Sequence, residues 1–174
     1  MLPDRKGVEV SQVRYLQMSS ILNFIVEVTA NHQSELIESL KKEAEKHDVG
    51  VWFSDSPGYF TQQYVEYIAT PPSLIFDLAD NTTYNNCEGL VSPWWYQDCG
   101  EELFEKHMRI IESFCSLCLQ YATVVHFIMG ADGMMIYEDE LQPVPITLTN
   151  FVQDVKQRYE RVRMSPPCVH YVFV

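Results

Sequence analysis

Four short apolar runs, at 21–28, 49–53, 124–129 and 169–174, constrain this chain more than any other feature. Each is rich in β-branched residues and too short for a buried helix, so each reads as a strand of a largely buried sheet. The segments between them show helical spacing instead. Leu36, Ile37, Leu40 and Ala44 mark a helix over 31–46, with Asn31 as its expected N-cap and Lys41, Lys42 and Lys46 near its end, where cations suit the helix dipole. Phe104, Met108, Ile111, Cys115 and Cys118 share one face of a helix over 101–121, and Asp98 with Glu101 forms a D-x-x-E start of capping-box type. A third helix follows Thr147 as cap and stops at Ser165-Pro166-Pro167, with Leu148, Phe151, Val152, Val155, Tyr159 and Val162 on its apolar side.

The remaining elements are less regular. After the turn Ser56-Pro57-Gly58, interleaved aromatic and polar residues predict a strand over 59–68, and 73–78 reads as a strand or a short helix. Residues 81–100 form a long polar loop, Gly130-Ala131-Asp132-Gly133 a turn, and 134–137 a returning strand. The resulting order is β-α-β-β-α-β-β-α-β. It predicts an α/β (α+β) fold, a mixed β-sheet with three amphipathic helices packed mainly on one face. At 174 residues the chain matches one domain, 1–174, with 1–17 as a loose N-terminal arm.

Charge is the most informative bulk property. The net charge is −12, and it is unevenly spread. Residues 47–155 hold 16 acids against Lys106 and Arg109, whereas 1–46 are nearly balanced and the tail from Lys156 is basic. Such a field disfavours direct binding to nucleic acid or anionic membrane and speeds encounter with a basic protein. A contiguous negative face is expected, drawing on Asp77, Asp80, Glu88 or Asp98, or on Glu138, Asp139 and Glu140. No apolar run reaches the roughly 18 residues of a membrane span, and the N-terminus lacks the apolar stretch of a signal peptide. A cytoplasmic location is the expectation.

Motifs for catalysis are missing. The chain has no P-loop, no dinucleotide fingerprint and no nucleophile elbow. Cys115 and Cys118 match C-x-x-C, but they fall mid-helix on the apolar face, which favours core packing over redox chemistry or zinc. The five cysteines have no repeated spacing, so reduced thiols are expected. His126 and His170 each fall within a strand and face either one another or the core. With Cys168 they are the best candidates for a small enzyme of unfamiliar type, although no third orienting group is visible. No metal or cofactor is expected.

Trp94-Trp95-Tyr96, lying within polar and acidic sequence, is the most distinctive local feature. It is either a lid on the core or an exposed anchor of a protein interface, where tryptophan and tyrosine dominate binding energy. In size, acidity, aromatic content and lack of an active-site motif, the chain resembles the immunity proteins of bacterial polymorphic-toxin and contact-dependent inhibition systems. The resemblance covers the whole chain in general character, with no single motif and no functional residue carried over. It implies a protein that binds and neutralises one cognate basic toxin domain, often a nuclease. Trp94, Trp95, Tyr96, Asp98, Glu138, Asp139 and Glu140 are the expected partner-binding residues. A regulatory or nucleic-acid-mimicking module is the other non-enzymatic alternative.

Overall fold

The computed structural model describes residues 20–54, 72–80, 101–131, 142–160 and 169–174. Within them lie six strands, β1 (Ser20–Glu27), β2 (Val49–Ser54), β3 (Ser73–Asp80), β4 (Val125–Ala131), β5 (Val144–Ile146) and β6 (Val169–Phe173). Three helices join them, α1 (Ala30–His47), α2 (Glu101–Cys118) and α3 (Leu148–Glu160). The strands form one mixed sheet in the order β2-β3-β1-β4-β6-β5, antiparallel at every seam except β5–β6. The fold is α+β.

Each helix connects two parallel strands: α1 runs from β1 to β2, α2 from β3 to β4, and α3 from β5 to β6. The second crossover moves across the sheet in the opposite direction to the other two. It also starts from a strand of opposite polarity, so the preferred right-handed path puts all three helices on the same side. One core indeed contains Leu36, Leu40 and Ala44 of α1, Phe104, Met108, Ile111, Phe114, Cys115 and Cys118 of α2, and Phe151 and Val155 of α3.

That core is organised by a line of rings. Phe53, Phe76, Phe24, Phe127 and Tyr171 are successive cross-strand partners on five neighbouring strands. Phe24 stacks on Phe76 with centroids 4.6 Å apart and planes within 3°, and it lies 4.6 Å from Phe127. Phe114 of α2 rests over Phe24 and Phe76, and Phe151 of α3 meets Phe127, Tyr171 and Phe173 edge-on. Such pairs add about 0.5–1.5 kcal/mol each beyond the area they bury.

Several sequence expectations shift. The N-cap of α1 is Thr29, not Asn31, because Thr29 is already extended (φ −62, ψ 148) and its carbonyl accepts from the His32 N–H. Residues 73–80 are a strand, since β3 pairs on both sides, with β1 and β2. β4 runs two residues into the expected turn, as Gly130 and Ala131 still pair with Ile21 and Ser20. The three-residue β5 replaces what reads as a proline break at Pro143 and Pro145. It pairs parallel with β6 at the sheet edge, where a proline inside a strand is tolerated. The predicted strands over 59–68 and 134–137 lie outside the described residues, so the agreement in element count conceals two different assignments. Cys115 and Cys118 are free thiols buried in the core, and burial pushes both well above the ordinary thiol range.

Two stability effects follow. Phe24→Ala empties the centre of the aromatic line and is expected to cost about 3–5 kcal/mol by urea denaturation. Phe53→Ala, at the more exposed end, costs distinctly less. Asp48 ends α1 in the left-handed region (φ 55, ψ 46), where a side chain is disfavoured and an acid opposes the helix dipole. Asp48→Gly is therefore expected to stabilise the fold by roughly 0.5–1 kcal/mol in the same assay.

Candidate functional site

Side chains alternate across a sheet, so the register that aligns the rings also aligns a second set on the opposite face. In β1 that set is Asn23, Ile25 and Glu27. One cross-strand row reads Trp52, Asp77, Asn23, Ile128 and His170, and the next contains Ile75, Ile25, His126, Val172 and Pro145. None of these residues belongs to the helix-side core. Even so, Asn23, Ile25, His126, Ile128 and His170 are all buried. Buried polar groups are costly unless paired, so their concentration on one face marks the candidate site.

Its centre is a chain of three titratable groups. Glu27 Oε1 lies 3.0 Å from His126 Nε2, and His126 Nδ1 lies 3.0 Å from His170 Nε2. A carboxylate only accepts, so His126 Nε2 carries the proton in the first bond. In neutral His126, Nδ1 is then the acceptor, and His170 Nε2–H must donate to it. The chain leaves His170 Nδ1 as a bare lone pair, and that atom is buried without a hydrogen-bond partner among the described residues. Burial, with a smaller contribution from His126, lowers the His170 pKa to about 4, which keeps the ring neutral. The exposed end is Glu27, whose side chain is 22% accessible against 6% for His126.

A second pair adjoins it. Asn23 Nδ2 donates to Asp77 Oδ1 at 2.8 Å, while Asn23 Oδ1 is buried and unpartnered among the described residues. Burial raises the Asp77 carboxyl above its ordinary range, and the Asn23 bond only partly opposes this. Together the site offers proton acceptors in a poorly hydrated setting. It does not assemble a metal site, for no three His, Cys, Asp or Glu side chains converge as ligands among the described residues.

On the helix side, Glu43 accepts from Ser113 Oγ and Lys46 Nζ and contacts His47 Nε2, tying α1 to α2. Burial pushes its carboxyl up, but these hydrogen bonds outweigh that and hold it below the ordinary range. The hydroxyl donates to the carboxylate and not to the imidazole, so Ser113, His47 and Glu43 do not form a serine–histidine–acid relay.

Of the expected site residues, Trp94, Trp95, Tyr96, Asp98, Glu138, Asp139 and Glu140 lie outside the described residues, as does Cys168. Asp77, expected on an exposed acidic face, is instead half-buried against Asn23. His126 and His170 do face one another. The roles of Asn23, Glu27 and Asp77 were not foreseen, although Asn23 and Glu27 interrupt an apolar run at positions sharing one strand face, which is a readable signal. Trp52, 62% exposed at the end of the Asp77 row, was also missed.

No protein-family model, curated protein or solved structure matches the chain. Among the described residues, no helix is long and apolar enough to cross a membrane.

The buried Asp77 charge yields a prediction. Because its folded pKa is raised, ionisation opposes folding at neutral pH, and the penalty fades as pH falls through that pKa. Asp77→Asn keeps an acceptor for Asn23 and removes the charge. Guanidinium denaturation should find the variant more stable than the parent at pH 7 and the two converging near pH 3.

Proposed function

We propose that this protein acts by binding a basic protein partner, as a cytoplasmic immunity protein that neutralises a cognate toxin domain such as a nuclease. The observation that carries the reading is where the acidic segments that lack lysine and arginine are tethered. Segments 55–71, 81–100 and 132–141 contain two, two and four acids and no lysine or arginine. By contrast, the described helices mix both signs, as in the pairs Lys41–Glu38, Lys156–Glu101 and Arg158–Asp154. Segment 81–100, with Trp94, Trp95, Tyr96 and Asp98, departs from Asp80 at the end of β3. Segment 132–141, with Glu138, Asp139 and Glu140, departs from Ala131 at the end of β4.

Strands β3 and β4 flank β1, and Ala131 pairs with Ser20 at the level that Asp80 also reaches. The two departure points are thus about 10 Å apart, two strand spacings, at one end of the sheet. Acid-rich and tryptophan-bearing segments rooted so closely suit a single interface with steering charge around aromatic anchors. The same charge opposes direct contact with nucleic acid and anionic membrane.

One observation favours a second reading, proton-transfer catalysis by a small enzyme: the His126–His170 contact ends in a lone pair. The binding reading goes further, because His170 is only 1% exposed. A metabolite-dependent thermal shift abolished by His170→Gln would favour the enzyme.

The decisive experiment is co-expression with the cognate toxin domain, found by cross-linking and mass spectrometry in the native cell, followed by surface plasmon resonance at several ionic strengths. Changing Glu138, Asp139 and Glu140 to Gln, Asn and Gln is expected to slow association and flatten its salt dependence. Trp94→Ala or Trp95→Ala is expected to speed dissociation, by about 2 kcal/mol at a hot spot. Unchanged kinetics with an intact circular-dichroism spectrum would remove this surface, and a partner that is not basic would remove the reading.

A further inference from the structure

The chain from Glu27 to His170 crosses two seams of the sheet, β1–β4 and β4–β6. Its buried end sits at the second. Strand β6 is held on one side by β4 and on the other by the three-residue β5. On the polar face, the Val172 row ends at Pro145 of β5, which brings no ionisable group. The direct register partner of His170 is Ile128, fully buried. Its titratable surroundings among the described residues are therefore His126 beside it, Glu27 beyond that ring, and Asp77 past Asn23 in its own row.

A proton added at His170 Nδ1 finds no hydrogen-bond acceptor among the described residues and places an imidazolium against an isoleucine. The nearest polar neighbour, His126, offers only the lone pair already in use. Glu27, the one carboxylate in the chain, is a full ring away and partly in water. The charge can be relieved by separating the two rings, and they stand on opposite sides of the β4–β6 seam.

We propose that the His126–His170 pair is an acid-opened latch on β6, closed while His170 Nε2–H donates to His126 Nδ1 and released when His170 takes a second ring proton. The inference does not depend on the binding reading, since it concerns the described residues Glu27, His126 and His170 alone and is tested without a partner.

The pH behaviour is opposite at the two polar seams. At β4–β6, a histidine with a depressed folded pKa makes stability fall as pH drops from the unfolded value of about 6.5 toward the folded value near 4. At β1–β3, a carboxyl with a raised folded pKa gains stability over its own acid range. A general acid effect weakens both seams together, whereas the latch weakens only one.

Amide hydrogen exchange on the full chain between pH 7 and pH 4 reads this directly. Protection factors in β6 are expected to fall by roughly tenfold or more relative to those in β1 and β3, as local opening of one unit. In His170→Gln, whose amide can still donate to His126 Nδ1 but cannot be protonated, the selective loss should vanish. Nitrogen-15 NMR of the unaltered protein tests the premise even if that variant misfolds. At pH 7 both rings should carry their proton on Nε2, and His170 should titrate well below an ordinary histidine. An Nδ1–H tautomer at His170, titration of His170 near 6.5, or equal loss of protection across the sheet each overturns the latch.

Discussion

The line of cross-strand rings from Phe53 to Tyr171 is the constraint from which the rest of the structure follows. Five aromatic side chains on five adjacent strands meet only in one register, because a slip of one residue turns each strand's side chains to the other face. Two helices dock on this line through their own phenylalanines, Phe114 and Phe151. The register, the helix positions and the core are thus one decision.

The same decision composes the other face. Aligning Phe24 with Phe76 and Phe127 also aligns Asn23 with Asp77 and Ile128, and brings His126 against His170. The polar groups are not gathered by attraction to one another. Aromatic packing on the helix side holds them in place, and it can support the cost of two buried atoms, Asn23 Oδ1 and His170 Nδ1, that have no hydrogen-bond partner among the described residues. A polar arrangement held against its own desolvation cost is where stability and function part company, and this sheet does so on one face only.

Charge behaves in the complementary way. In the helices, acids and bases interleave and form exposed pairs that contribute little, such as Lys41–Glu38 and Arg109–Glu105. Segments 55–71, 81–100 and 132–141 carry acids and no lysine or arginine, and two of them are rooted on the strands flanking β1. The described body is itself acidic, with 14 Asp and Glu against 7 Lys and Arg, and the base-free segments add to that negative charge.

What the sequence determined by itself is local. Short apolar runs rich in β-branched residues marked β1, β2, β4 and β6, and 3.6-residue spacing marked all three helices, because both signals are written in consecutive residues. The buried positions of Cys115 and Cys118 were legible for the same reason. Pairing was not legible: β3 looked ambiguous at 73–78, and β5 looked like a proline break, since both depend on partners distant in the chain. The site was half legible, with His126 and His170 recognisable as polar residues inside strands. Their third member, Glu27, lies 99 residues from His126 in the chain. Only the tertiary structure could bring them together, because side chains on different strands become neighbours through register, and register is set by the whole sheet packing against its helices.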